Sequence, residues 1–419
     1  MAVDLSERVI LRWDSPSSCA ALLDPGGIDA VWLQTRDDAL PSARVIPAGA
    51  VRLMTLDEVD RGSHEQPGEA VAVKAGLWPG ARAGRRGGDA FVAGASARAW
   101  VDANGYLIAC LRALYPQRPA VLAYPPDKDA GIAAAQVIAY DSLELALVDS
   151  WTAGGNYILA PDAAYRDALL AGKDTALAAW KRLGRTARWL KERRALFRRP
   201  LSTTITALVE PGEATREIAN LLCRHSASPD LISAAQLPPP DASRRPIIVA
   251  AGLQSVSGEL GRALAAHARA GATVVTDDCE TKTWWKVPGL TRTRKFADRE
   301  FYTLGSGRVV AYQDMIVDPG DFAMDVLDLA AANRPVRLWE MSAAVARISQ
   351  VDTRSATLWV VNYGSPARAE CMVHVHGVFT SATLSRPEAD PVSLRIYRRS
   401  ANTEIVIPGL SRVAVVEFA

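Results

Sequence analysis

Apolar residues recur along this chain with two alternating periods. In the first 200 residues, short apolar runs with strand character are separated by stretches of helix-like spacing. The runs are Val9–Trp13, Ala30–Gln34, Val51–Thr55, Ala70–Ala75, Ala120–Tyr124, Gln136–Tyr140 and Asn156–Ala160. Helical spacing covers Tyr106–Tyr115, Leu143–Ala153 and Tyr165–Phe197. Strands alternating with helices imply βαβ units and a parallel sheet. Seven or eight such units in about 200 residues fit a (β/α)8 barrel of the TIM type, with an open doubly wound sheet as the alternative. Arg82–Ser96, rich in Gly, Ala and Arg, reads as a long loop, a feature that is functional or mobile in compact domains.

The pattern restarts after Arg199-Pro200. Strand Thr204–Val209, helix Ala214–His225 and strand Leu231–Ala235 precede a run of three prolines, Pro238 to Pro240. Strand Ile247–Ala251, helix Ser257–Ala270, strand Thr273–Thr276 and strand Gly307–Gln313 follow. This predicts a second, Rossmann-like or flavodoxin-like α/β unit. A helical stretch, Asp321–Asn333, then leads into β-rich sequence. Leu358–Asn362, Glu370–His376, Val392–Tyr397, Glu404–Ile407 and Val413–Phe418 are short strands separated by turn residues, the signature of a small β-sandwich. The expected division is 1–200 (barrel), 201–333 (α/β) and 334–419 (sandwich), which agrees with a length of 419 residues at about 100–200 per domain.

Composition narrows the function classes. Hydrophobic residues make up 49% and charged residues 22%, so each part can bury a core. The formal net charge of +2 gives no basic field for nucleic acid. The basic run from Arg182 to Arg199 is interrupted at helical spacing by Leu183, Trp189, Leu190 and Phe197, and reads as the solvated face of an amphipathic helix. Only eight of the 48 basic residues are lysine, and arginine dominance with abundant alanine points to a GC-rich bacterial genome. Five scattered cysteines without a CxxC or Cys/His cluster indicate neither a disulfide framework nor a zinc site. His374 and His376 share a strand face but have no third ligand, so neither metal nor cofactor is expected. No run of about 18 apolar residues predicts a membrane span. The chain enters its first strand almost at once, as an exported protein without its signal would, so a periplasmic or secreted location is compatible with it.

The order of parts carries a resemblance. The segment Ile247-Ile-Val-Ala-Ala-Gly252, then Leu260–Ala270, then Gly271-Ala-Thr-Val-Val-Thr276 resembles part of the trimerisation domain of family 42 β-galactosidases. Phe301-Tyr-Thr-Leu-Gly-Ser-Gly-Arg-Val-Val-Ala-Tyr312 resembles the Gly-x-Gly strand that follows there. Over roughly residues 200–315 the resemblance implies a glutamine-amidotransferase-like domain between a catalytic barrel and a terminal β-domain. It further implies a carbohydrate substrate and homo-oligomerisation through the middle domain. The glutaminase Cys–His pair is lacking in that family, and no cysteine stands at a Gly-x-Cys-x-Gly elbow here. The family's acid/base belongs to an Asn-Glu dipeptide, which this sequence does not contain. That departure points to a distant glycosidase-like family, or to a barrel that has lost catalysis and binds carbohydrate or serves assembly.

In a barrel, active groups follow the C-terminal ends of the strands. The polar and aromatic residues so placed are Trp13, Asp14, Trp32, Lys74, Trp78, Trp100, Asp102, Asn104, Tyr124 and Asn156, expected to bind substrate. Glycoside hydrolysis needs two carboxyl groups flanking the scissile bond. Asp127 and Asp141 follow adjacent predicted strands and form the expected pair, with Glu144 one turn beyond. Each has a structural alternative. Asp141-Ser-Leu-Glu144 also fits a capping box, Asp14 and Asp102 fit turns or caps, Asp127 fits a surface loop, and any tryptophan fits a core.

Overall fold

The computed structural model describes residues 5–33, 39–62, 70–75, 104–126, 138–241, 245–278, 280–339, 341, 343–350, 352, 354–364 and 370–419. Cys279, and the sequence-predicted site residues Trp78, Trp100, Asp102 and Asp127, lie outside them.

Seven short strands open the chain. They are β1 (Ile10–Trp13), β2 (Ala30–Leu33), β3 (Val45–Ile46), β4 (Val51–Met54), β5 (Ala70–Val73), β6 (Val121–Ala123) and β7 (Asn156–Ile158). All pair in parallel, as two sheets ordered β1-β2-β3 and β4-β5-β6-β7. A parallel bridge, Leu11 to Leu159, connects β7 to β1, with Arg12 N donating to Leu159 O at 2.7 Å. A single 3-10 turn, Ala48–Ala50, separates β3 from β4. Side chains from one face of both sheets meet in one apolar cluster that includes Ile10, Ala30, Ile46, Val51, Ala72 and Ile158. The opposite faces, with Leu11, Trp13, Leu122, Tyr157 and Leu159, pack on the helices. Strands covered on both sides must be apolar throughout, which is why they read as continuous runs. Parallel strands with helices on one side give a barrel-like layout, but no closed eight-stranded barrel is present among the described residues. Ile138–Tyr140, the described part of one expected strand, is not a strand.

The helices here are α1 (Leu56–Asp60), α2 (Asn104–Leu114), α3 (Ser142–Thr152), α4 (Ala163–Leu170) and α5 (Asp174–Glu192). The single helix expected over Tyr165–Phe197 is broken, because Gly172 adopts φ +69°. In α5 the basic residues face solvent while Trp180, Leu183, Ala187 and Leu190 are buried. In α3 all eleven residues are buried.

The next sheet has seven strands: β8 (Ile205–Val209), β9 (Asp230–Ser233), β10 (Ile247–Val249), β11 (Thr273–Thr276), β12 (Thr291–Lys295), β13 (Arg299–Leu304) and β14 (Gly307–Tyr312). Its order is β12-β13-β14-β11-β10-β8-β9. The five parallel strands follow the flavodoxin-like order 2-1-3-4-5, extended at one edge by the antiparallel β12 and β13. Helices α6 (Glu213–Arg224) and α8 (Pro319–Leu329) contribute to the core on one face, and α7 (Gly258–Ala270) to that on the other.

Nine antiparallel strands end the chain: β15 (Val336–Trp339), β16 (Ala344–Gln350), β17 (Ala356–Asn362), β18 (Cys371–His376), β19 (Ala382–Arg386), β20 (Ala389–Ser393), β21 (Tyr397–Arg399), β22 (Asn402–Ile407) and β23 (Val413–Phe418). They form two sheets, β15-β18-β22-β21 and β16-β17-β23-β19-β20, around one apolar core. Alternation decides what the outer face of the second sheet does. Val345, Trp359, Val361, Tyr363, Val413 and Val415 point away from the sandwich core and join the core of the N-terminal helices.

Candidate functional site

The C-terminal ends of the parallel strands are where the sequence places the chemistry. In β1, parity turns Ile10 and Arg12 to the same face and Leu11 and Trp13 to the other. Arg12 is buried. Its Nε lies 3.1 Å from both carboxylate oxygens of Asp14, and its guanidinium carbon sits 4.7 Å from the centroid of the Trp32 ring. Trp32 is held in turn by its indole N–H, which donates to Ala48 O at 3.2 Å. Asp14 stays about one-fifth exposed. The result is an arginine fixed by a carboxylate on one side and an aromatic face on the other, with the carboxylate turned toward solvent. Lys74 follows β5 directly and is half-buried, its backbone N–H donating to Met54 O at 2.6 Å.

The remaining expected ligand groups have other places. Trp13 is fully buried, faces the helices and donates to Ser17 O at 2.7 Å. Tyr124 is buried in the same helix-facing core. Asn104 is buried at the start of α2. Asn156 opens β7, at the strand's N-terminal end, and its amide donates to Arg8 O at 2.9 Å. It ties the entry of the chain to β7 and stands at the edge opposite the strand ends.

The two carboxylates of α3 are engaged by the scaffold. Glu144 is buried, accepting from Thr186 Oγ1 at 2.7 Å and from Arg182 Nε at 2.9 Å, both on α5. Asp141 precedes α3 but makes no side-chain cap; its carboxylate accepts from buried Arg412 in the segment leading to β23. The expected capping box Asp141–Glu144 is therefore not formed. Each acid instead joins α3 to a different neighbour.

One buried polar group on α3 was not expected. Asp149 is fully buried. It accepts from Gly105 N at 3.0 Å and Tyr363 Oη at 2.7 Å, and it faces Arg347 of β16 at 4.0 Å. Burial pushes its carboxyl above the ordinary carboxylate range, opposed by Arg347, by the Tyr363 hydroxyl and by the backbone N–H of Gly105. Burial also drives the Tyr363 hydroxyl well above its usual value, and the Asp149 charge adds to this. A lone Asp in an apolar helix was the available signal, because a buried charge needs a partner. Which partner it finds was not readable locally. Among the described residues, no group of three or more His, Cys, Asp or Glu could hold a metal ion, and no helix is long and apolar enough to cross a membrane.

No family model and no curated protein matches this chain. Solved structures do. A catalytic mutant of a GH42 β-galactosidase from G. stearothermophilus superposes with a TM-score of 0.53 at 10% identity over 93% of this chain and 64% of that one. An α-L-fucosidase isoenzyme 2 from Paenibacillus thiaminolyticus gives 0.51 at 10% identity, over 93% and 77%. A rhamnosidase from Novosphingobium sp. gives 0.51 at 14%, over 77% and 34%. The chain thus spans about two thirds or less of the galactosidase and rhamnosidase chains it matches. At these identities the likeness concerns the fold alone, and that fold is a distant glycoside-hydrolase-like one.

Proposed function

We propose that this protein recognises a carbohydrate at the C-terminal ends of its parallel strands, on a glycosidase-type scaffold in which the α3 carboxylates have structural duties. Residues 1–200, 201–333 and 334–419 are read as the barrel-like, amidotransferase-like and sandwich parts of that scaffold. The observation that supports the binding reading is that each of these acids already has an arginine partner. Glu144 is buried between Thr186 and Arg182, Asp141 accepts from Arg412 in the segment leading to β23, and Asp14, about one-fifth exposed at the end of β1, pairs with Arg12 of its own strand. A glycosidase acid must exchange a proton with the leaving group. An acid tied to an arginine is poorly suited to that task, and Asp14, Asp141 and Glu144 are all so tied.

A second reading, hydrolysis, is favoured by one further relation. β1 and β6 flank β7. Asp14 follows β1 by one residue and Asp127 follows β6 by four. Two acids placed in sequence after strands that flank a third match the two-carboxylate requirement of glycoside hydrolysis.

The two readings part in one experiment. The full chain is titrated calorimetrically with a panel of neutral and acidic oligosaccharides and incubated with matching aryl glycosides. Saturable binding, weakened tenfold or more by Asp14→Asn and without aryl release, supports recognition. Aryl release abolished by both Asp14→Asn and Asp127→Asn replaces it with hydrolysis. Neither binding nor release across the panel defeats both.

A further inference from the structure

A groove of about 650 Å³ opens on the middle sheet, between α8 and the faces of β12, β13 and β14. Helix α8 packs toward the parallel strands and leaves the antiparallel edge of the sheet uncovered. Parity puts Arg299, Phe301 and Thr303 of β13, and Arg308, Val310 and Tyr312 of β14, on the groove's face, with Val310 and Tyr312 buried where α8 meets the sheet. The floor is rigidly built. Arg299 clasps Asp325 of α8 through two hydrogen bonds of 2.5 and 3.0 Å, and Tyr312 Oη donates to the same carboxylate at 2.7 Å. The Arg299 guanidinium lies 5.2 Å from the Tyr312 ring centroid and 5.7 Å from that of Phe296. Phe296 also packs edge-on against Phe301 at 5.6 Å, yet stays 47% exposed.

The charges of the groove are unequally satisfied. Arg299 has its carboxylate. Arg294, Arg308 and Asp328 line the walls, are exposed, and form no ion pair among the described residues, which leaves one positive charge in excess. Arg292 and Lys295 are already matched by Glu300 at 3.2 and 3.3 Å. An exposed aromatic face held in place, with two unmatched guanidinium groups beside it, suits a ligand with an apolar ring face and carboxylates at its rim. Guanidinium recognises carboxylate in a planar, two-pronged geometry, and a ring stacks on an aromatic side chain at little entropic cost because that side chain is already packed.

We propose that this groove is a second binding site, for an acidic oligosaccharide of uronate type, separate from the strand ends of the N-terminal sheets. The choice of a saccharide over an acidic peptide rests on the carbohydrate reading above. The test uses the full chain with three probes, hexagalacturonate, maltohexaose and poly-L-glutamate, followed by calorimetry at low and high salt. The variants are Arg294→Ala/Arg308→Ala and Phe296→Ala, all at exposed positions whose folding is checked by thermal melting, and Asp14→Asn for the other site. The expected result is saturable hexagalacturonate binding that weakens with salt, falls tenfold or more in both groove variants and is unchanged in Asp14→Asn. Maltohexaose is expected to be indifferent to the groove variants. Hexagalacturonate binding that survives the groove variants overturns the proposal, as does poly-L-glutamate binding equally well with the same sensitivity. A drop in oligomeric mass by light scattering on Phe296→Ala, with hexagalacturonate binding intact, overturns it in favour of a second copy of the chain. The two readings fail separately. Binding lost only in Asp14→Asn removes the groove and leaves the strand-end site, while binding lost only in the groove variants, with no sugar of the panel responding to Asp14→Asn, does the reverse.

Discussion

Gly105→Ala provides a sharp test of how the N-terminal helices and the terminal sandwich are held together. Gly105 lies in the first turn of α2, where Asp149 of α3 and Arg347 of β16 meet. A Cβ built at Gly105 would stand 2.0 Å from Arg347 Nη2 and 2.8 Å from Asp149 Oδ1. Ordinary contact begins at 3.4 Å, so the guanidinium must retreat by about 1.4 Å. Arg347 is buried and cannot swing into water. Two opposing terms set the result. Alanine favours the helix over glycine by ~1 kcal/mol. Overpacking costs ~1–3 kcal/mol, and drawing a buried arginine away from its carboxylate costs a share of the ~3–5 kcal/mol that breaking such a pair entails. The net loss is about 2–4 kcal/mol, a large fraction of a typical domain stability of ~5–15 kcal/mol. The measurement is urea unfolding followed by tryptophan fluorescence, in wild type, Gly105→Ala, Arg347→Met and the double variant. In the Arg347→Met background the guanidinium clash is gone and only the 2.8 Å approach to Asp149 Oδ1 remains, so Gly105→Ala is expected to cost at least ~1 kcal/mol less than in wild type. Equal destabilisation in both backgrounds, or none in the wild type, would refute the packing argument.

Two further outcomes follow from α3. Glu144→Ala removes a buried acceptor from Thr186 and the partner of Arg182, and should cost about 2–4 kcal/mol in the same unfolding assay; a variant as stable as wild type would return Glu144 to the pool of catalytic candidates. Asp149 supplies a pH dependence. Its folded value is raised above 3.8, so the stability it contributes is complete below 3.8 and is lost as pH rises through the folded value. Wild-type stability relative to Asp149→Asn should therefore decline with rising pH, and a difference that is flat or grows with pH would contradict the assigned burial effect.

Much of the fold was legible because burial on both faces leaves a local mark. The parallel strands β1, β2, β5, β6 and β7 read as apolar runs, and the middle sheet's β8, β10, β11 and β14 did likewise. Several elements that escaped lack such a mark, although β16, buried at six of its seven positions, carries one and was also missed. β12 is Thr-Arg-Thr-Arg-Lys, exposed at every position, so no apolar period announces it; only its pairing with β13 makes it a strand. β3 is two residues long. The α4–α5 break is set by one glycine in a left-handed conformation inside a pattern that is otherwise helical on both sides.

The candidate site was legible to a lesser degree, for a reason that the acids of α3 make concrete. Asp141-x-x-Glu144 carries three local readings at once: catalytic pair, capping box, or two unrelated acids. Sequence spacing alone cannot separate them, because the deciding groups are distant: Thr186 is 42 residues from Glu144, and Arg412 is 271 from Asp141. What spacing does show is parity. Arg12 alternates with apolar residues and shares a face with Ile10, which committed it to the interior of the parallel sheets before any partner was known. An inward arginine at a strand end must be matched, and Asp14 two residues on is its nearest carboxylate. The same logic explains why α3 carries no free acid. It is buried along its whole length against α5 and, through Trp359 and Tyr363, against the sandwich. A helix in that position can retain a carboxylate only by pairing it. At the end of β1, Asp14 is matched within its own strand by Arg12 and stays about one-fifth exposed. An activity of this chain is therefore to be sought first where a strand end escapes the joints between its parts.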